Sequence, residues 1–313
     1  MTVRRRPIVF TSLLTFCALL SAPAAAQTAV PGYASEAGPP RPPPFADTWE
    51  TARTMAMGLG ARASAMGTAA VAVNPAGMGI GRHYQIESNV VYEPTESRFA
   101  TGGGLADSYS GPVNMGVSFR YVHGNGDTGH GGYDGRIALG VPLGDHFGIG
   151  VSGRYVSFWR EGQDGADPYA EHVSIDGAIR VTPLPGLHIA ALGYNLIDVG
   201  SPLVPMQVGG SVSYTIDNTF TLAFDGLADL STFRDAEGNI QPEGLFGGAA
   251  ELFTGEVPIR AGWAFDTGRS AHFVTAGVGW MNDDVGIDIA ARQQVTGPEL
   301  QTWLLASFRY FVQ

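Results

Sequence analysis

"PVNMGVSFRYV" (residues 112–122) decides the fold, because its side chains alternate without a break. Val113, Met115, Val117, Phe119 and Tyr121 fall on one face, and Asn114, Gly116, Ser118 and Arg120 on the other. A period of two held this long describes a β-strand with one apolar and one polar side.

The same scheme recurs along the chain. In "DHFGIGVSGRYVSFW" (145–159), Phe147, Ile149, Val151 and Tyr155 oppose His146, Gly148, Ser152 and Arg154. In "EHVSIDGAIRV" (171–181), Val173, Ile175, Ile179 and Val181 oppose Ser174, Asp176 and Arg180. "NTFTLAFDGLADL" (218–230), "GEVPIRAGWAFD" (255–266) and the C-terminal "TWLLASFRYFVQ" (302–313) repeat it. Fourteen such segments are expected, near 82–91, 96–107, 112–122, 132–142, 145–158, 171–183, 186–196, 203–216, 218–229, 243–253, 256–266, 270–281, 284–293 and 299–312. They run 10 to 14 residues, about twice the usual soluble strand and long enough to cross a bilayer at a tilt of about 45°.

The links between segments alternate in the same way. Short turns such as 143–145, 184–186 and 217–218 follow even segments, while longer polar links such as 123–131, 159–170 and 231–242 follow odd ones. Short turns at one end and long loops at the other are the pattern of an outer-membrane barrel. Arg120, Asp134, Arg136, Arg154, Asp176, Arg180, Asp225, Arg260, Asp288, Arg292 and Arg309 share the polar face, which in a barrel is the lumen, where opposite charges can pair. Tyr155, Phe158, Trp159, Trp263, Phe265, Trp280, Trp303, Tyr310 and Phe311 sit near strand ends and are expected to form girdles at the two membrane interfaces. The expected fold is therefore all-β, a transmembrane antiparallel β-barrel of about 14 strands spanning residues 82–313. A soluble sandwich or jelly roll is the rival reading, and the long strands and two-sided loop pattern argue against it.

The N-terminus points to export. Arg4, Arg5 and Arg6 precede an apolar run from Ile8 to Leu20 and the small residues Ala24, Ala25 and Ala26, so residues 1–26 read as a signal peptide cleaved before Gln27. A lipoprotein signal ending at Cys17 fits less well, because Phe16 is bulky and the apolar run continues past it. The cleaved chain has no cysteine, and loss of the three arginines takes its formal charge from −11 to −14. Such an acidic product is not expected to bind nucleic acid, whose affinity rests on basic patches. No later window approaches the roughly 18 uninterrupted apolar residues of a transmembrane helix. An integral protein of a Gram-negative bacterial outer membrane is expected, in contact with its lipid and with both termini periplasmic.

Residues 27–48, rich in Pro, Gly and Ala, read as a disordered leader. In "DTWETARTMAMG" (47–58), Asp47 and Glu50 have the spacing of a capping box, and Gly58 marks the stop of a short helix. Then comes "GARASAMGTAAVAVNPAGMG" (60–79), with Ala61, Arg62, Ala63, Met66, Gly67, Ala69 and Ala72 leading to Asn74, Pro75, Ala76, Gly77 and Met78. This run resembles the N-terminal signature of FadL-like outer-membrane proteins, in particular their PorV/PorQ-type branch, and "VPIRAGWAFDTG" (257–268) resembles a strand of that branch. The resemblance implies a barrel of 14 strands whose residues 49–81 fold back into the lumen as a hatch. It assigns Arg62, Met66, Gly67, Asn74, Pro75, Ala76 and Gly77 to that hatch. Here Val73 abuts Asn74, without the acidic and aromatic insert that the resemblance leads one to expect. The small residues suit a backbone lying close to a wall, and Asn-Pro with its glycines suits sharp reversals.

No catalytic, cofactor-binding or metal-binding set is apparent, and no enzyme activity is expected. The histidines lack Ser or carboxylate partners at a readable spacing, and "HGNGDTGHGG" (123–132), with His123, Asp127 and His130, reads as a glycine-rich loop. Two functions follow from the resemblance. One is a porin-like, FadL-like channel for passive uptake of small hydrophobic or amphipathic solutes, with Met55, Met57, Leu59 and Met66 either lining a greasy site or packed as core. The other is a PorV-like barrel that docks or anchors an exported protein or a secretion or motility assembly.

Overall fold

In lipid, every strand N–H and C=O must be paired within the sheet, so a strand-built span has to close on itself. The computed structural model describes residues 50–123, 130–160, 170–198, 204–232, 239, 241–297 and 300–312. The expected signal peptide, the leader and the glycine-rich loop around Asp127 lie outside the described residues.

Fourteen strands are present: β1 (Tyr84–Glu93), β2 (Arg98–Asp107), β3 (Asn114–His123), β4 (His130–Leu143), β5 (Phe147–Arg160), β6 (Ala170–Leu184) and β7 (Leu187–Tyr194), then β8 (Gln207–Ile216), β9 (Phe220–Asp229), β10 (Glu243–Thr254), β11 (Val257–Asp266), β12 (Ala271–Met281), β13 (Val285–Gln294) and β14 (Thr302–Val312). Each pairs antiparallel with the next, and β1 returns to β14 with Tyr84 opposite Val312, so the sheet closes. Among the described residues the one register shift lies between β6 and β7, at Val181 and Leu184.

Exposure follows the alternation. Ile137, Ile289, Val173, Phe224 and Phe119 stand outward, each more than half exposed. A continuous apolar band of this kind belongs against lipid rather than water. Trp263, Trp280, Tyr155 and Tyr310 are exposed on the same outer surface, where interfacial aromatics belong.

Three of the expected girdle residues are elsewhere. Phe158 is 1% exposed and Trp303 2%, both turned into the lumen; Trp303 packs against Phe273 at 6.1 Å. Phe311 meets the His83 ring edge-on and lies under the Arg309 guanidinium. All three share the parity of the arginine-bearing face, and in a pleated strand parity outranks nearness to a strand end. The side chain of Trp159 lies outside the described part of the chain.

Residues 50–80 pack against the inward face of the wall. They form helix α1 (Ala52–Ala56), a 3-10 turn (Arg62–Ser64), helix α2 (Gly67–Val73) and a second 3-10 segment (Pro75–Ile80). The cap of α1 differs from expectation. Thr51 accepts from the Thr54 amide at 3.2 Å, and the Thr51 amide donates to Thr54 Oγ1 at 2.8 Å, so two threonines make the capping box. Glu50 is free of that duty and pairs instead with the wall.

Candidate functional site: the plugged lumen

The inward face has two chemistries. At mid-barrel and toward the short turns it is charged. Every expected lumen residue points inward, and Arg120, Asp134, Arg136, Arg154, Asp176, Arg180, Asp225, Arg260, Asp288 and Arg292 are all buried. Most are joined in ion pairs. Arg154 meets Asp134 at 3.0 Å and Arg136 meets Asp176 at 2.9 Å. Arg260 bridges Glu251 at 2.7 Å and Asp288 at 2.5 Å, and Arg309 also pairs with Asp288. Glu251 was not singled out from the sequence, although its parity with Arg260 across the β10–β11 pair, where the two are directly opposite, was readable.

These groups hold the N-terminal segment as well as one another. Arg53 of α1 binds Glu251 at 2.8 Å, and Glu50 binds Arg292 through two contacts of 2.8 Å. Burial works against the Arg53 charge, but the Glu251 carboxylate outweighs it and raises the pKa above the usual arginine value. Asp225 accepts from the amides of Ala61 (3.1 Å) and Arg62 (2.9 Å). Arg62 Nε donates to the Tyr194 hydroxyl at 2.9 Å, and that hydroxyl donates to the Val73 carbonyl. Arg136 donates to the Ala72 carbonyl at 2.6 Å, and Thr68 donates to Glu87. Helices this short have many unpaired backbone groups, and the wall's side chains satisfy several of them.

The remaining residues expected in a hatch fix the segment's shape. Asn74, fully buried, donates through Nδ2 to the Arg62 carbonyl at 2.8 Å and ties the two limbs together. Pro75 begins the second 3-10 segment, and the Gly77 amide donates to the Asn74 carbonyl at 2.8 Å. Gly67 has φ +56, and a Cβ there would sit 2.0 Å from Gln85 Oε1. Wall glycines make room for the segment. A Cβ on Gly150 of β5 would lie 2.3 Å from the Ala76 amide nitrogen, and one on Gly262 of β11 would lie 2.6 Å from the Gly58 nitrogen. Backbone therefore meets backbone at van der Waals range, as small residues permit.

Met55, Met57 and Leu59 are at most 2% exposed and form core, while Met66 is 40% exposed. The four therefore do not come together as one greasy site. Toward the long loops the inward face mixes apolar groups with charge, the buried Arg98–Glu93 pair at 2.6 Å among them. Val91, Ala100, Val122, Val156 and Phe158 pack together with Val204, and Leu245, Phe273, Trp303 and Leu305 pack around Met55. Between these groups and α1 remains a void of about 20 Å3 bordered by Glu50, Met55, Val91, Arg120 and Trp303, room for about one water. Among the described residues no cluster of three metal-ligating side chains occurs.

A closed cylinder of this strand number is intermediate between side-chain-filled barrels and open porins, and here the N-terminal segment fills it. The fold is shared with solved transport proteins. The toluene transporter TbuX of Ralstonia pickettii superposes with a TM-score of 0.61 at 13% identity, over 86% of this chain and 100% of that one. The chain has the FadL-type barrel fold. The toluene transporter TodX of Pseudomonas putida (TM-score 0.57, 11% identity, 84% and 98% covered) and a FadL homologue of Pseudomonas aeruginosa (0.57, 11%, 84% and 98%) share it. No family model and no curated protein matches the chain. Two of these three are toluene transporters and the third is a FadL homologue, and none is named as a PorV or PorQ protein.

Proposed function

We propose that the protein is an outer-membrane channel for passive uptake of small hydrophobic or amphipathic solutes, with residues 50–80 as its hatch and both termini in the periplasm. The observation that carries this reading is the change of chemistry along the inward face. A water-filled porin keeps a polar lining from end to end. Here apolar side chains, among them the buried Phe158, Phe273 and Trp303, pack under the long-loop mouth. Apolar groups there lower the free energy of an apolar solute entering from water. Beneath that mouth the hatch is closed. The similar solved structures include toluene transporters and a monoaromatic hydrocarbon channel, which supports the same solute class. Docking of an exported protein, the alternative, has no observation in its favour.

Uptake of a radiolabelled aromatic hydrocarbon into proteoliposomes tests the reading. Wild-type protein is expected to speed entry over empty liposomes. Phe158→Gln and Trp303→Gln, which make the mouth polar, are expected to slow it several-fold while the barrel stays heat-modifiable on gels. Equal entry with and without protein would end the proposal.

A further inference from the structure

At the short-turn end the rim carries a second cavity of about 460 Å3, lined from the inward face by His83, Met281 and Phe311 and from the outward face by Val312. It sits on the seam where β1 closes on β14, between the turn that follows β2 and the turn that follows β12. Arg82 lines it. Its guanidinium stands 6.0 Å from the Tyr109 ring centroid and donates to the Tyr109 carbonyl at 3.3 Å. No carboxylate among the described residues pairs with Arg82. Asp283 borders the same cavity, exposed and with no salt bridge to Arg82 or to any other described cation. One cavity thus holds an available guanidinium and an available carboxylate that do not satisfy each other.

The rest of the lining combines the apolar Met281, Phe311 and Val312 with His83 and Asn282. Val312, Tyr310 and Ile86 continue it outward as exposed apolar side chains on β14 and β1. His83 adds no cation, since burial holds it below the usual histidine pKa. A ligand complementary to all of this has a phosphate for Arg82, an ammonium for Asp283 and a hydrocarbon tail for the outer wall.

We propose that this cavity binds the zwitterionic headgroup of a phosphatidylethanolamine-type phospholipid, with its acyl chains lying along the β1–β14 seam. Arg binds phosphate through paired, charge-assisted hydrogen bonds. Tyr109, 63% exposed at the rim, is the kind of aromatic that anchors at the headgroup level. The proposal rests on the reading that the short turns face the periplasm, because that leaflet of an outer membrane is the phospholipid one.

Native mass spectrometry of the full-length processed protein, titrated with phosphatidylethanolamine or phosphatidylglycerol, tests it. A 1:1 phosphatidylethanolamine adduct is expected to form first. Arg82→Gln is expected to weaken it about ten-fold, the loss of one charge-assisted contact pair. Asp283→Asn is expected to erase the preference over phosphatidylglycerol while keeping binding. Heat-modifiable migration checks that both variants remain folded. Equal affinity for the two lipids in wild type, or unchanged binding in both variants, would overturn the proposal. So would equally strong competition by inorganic phosphate, which would mark a simple anion site. Asp283→Cys labelled by an impermeant maleimide on intact cells would overturn the leaflet assignment. The uptake assay reports on the channel separately, since neither rim variant touches the mouth or the hatch.

Discussion

The two ends of the lumen are built on one set of strands and held together by different forces. Toward the long loops, inward side chains such as Val122, Phe158 and Trp303 pack by apolar contact. At mid-barrel, Glu251, Asp288, Asp225 and Arg136 grip the N-terminal segment and one another through directional polar contacts. Apolar packing is non-directional and tolerates rearrangement, whereas a buried charge network is stable only when every member is matched. The mouth is thus suited to receive variable greasy solutes, and the middle is suited to hold one backbone in one place. The largest effect should come from abolishing the difference. Removing residues 50–80 leaves a charged, water-accessible cylinder. A planar bilayer that is silent with the full chain is expected to show stable ion conductance. Continued silence would mean that the loop-end packing, and not the hatch, closes the pore.

A single carboxylate comes next. Glu251 accepts from Arg53 of the hatch and from Arg260 of the wall. Glu251→Gln keeps the shape and removes the charge, leaving Arg53 buried without its ion-pair partner and with only the more distant Asp288 and Asp225 to compensate it. Breaking one partner of a buried ion pair typically costs about 3–5 kcal/mol. The loss should be visible as a lowered urea midpoint and as protease access to the segment around Arg53. Arg260, still paired with Asp288 at 2.5 Å, should keep the wall itself intact, so unfolding of the barrel and release of the hatch should separate in the titration. Coincident transitions would argue that hatch and wall are one cooperative unit.

How much of this could be read from the residues depends on periodicity. The strands were legible because a two-residue repeat over ten or more positions has no other structural meaning. The arginine-bearing face was legible for the same reason. Nearness to a strand end points Phe158 and Trp303 to a girdle, whereas their shared parity with Arg154 and Arg309 turns both inward. The hatch behaves differently. Its helices span only five and seven residues, too short for a helical period, and its cap uses Thr51 with Thr54 rather than an acidic partner. Its shape comes from the wall's side chains, which lie far away in sequence, so no local pattern encodes it.

The wall glycines allow the comparison to be made within one strand. Gly150 and Gly153 are both on β5, but on opposite faces. A Cβ on Gly150 would fall 2.3 Å from the hatch backbone at Ala76, whereas one on Gly153 meets nothing within 4 Å. Gly150→Ala should therefore cost about 1–3 kcal/mol through overpacking against backbone that cannot move aside. Gly153→Ala, facing outward, should change stability by no more than about 0.5 kcal/mol. Equal effects of the two would show that strand propensity, and not contact with the hatch, governs this position.

Among the charged residues, the smallest effect is expected where the charged region departs from its own rule. Arg180 is buried like Arg260, yet no carboxylate pairs with it among the described residues. Its contacts are Thr182 Oγ1 at 2.7 Å and His188 Nδ1 at 3.4 Å, and its Nε has no acceptor. A buried cation gains stability only from compensation, and here compensation comes from neutral groups alone. Arg180→Gln removes the desolvated charge and retains a donor for Thr182. Its unfolding free energy should stay within about 1 kcal/mol of wild type, against the larger loss at Glu251. A cost as large as that of Glu251→Gln would require an anion beside Arg180. It would show that the mid-barrel network extends to the short-turn rim, so that the hatch is clamped at both ends of its path rather than at mid-barrel alone.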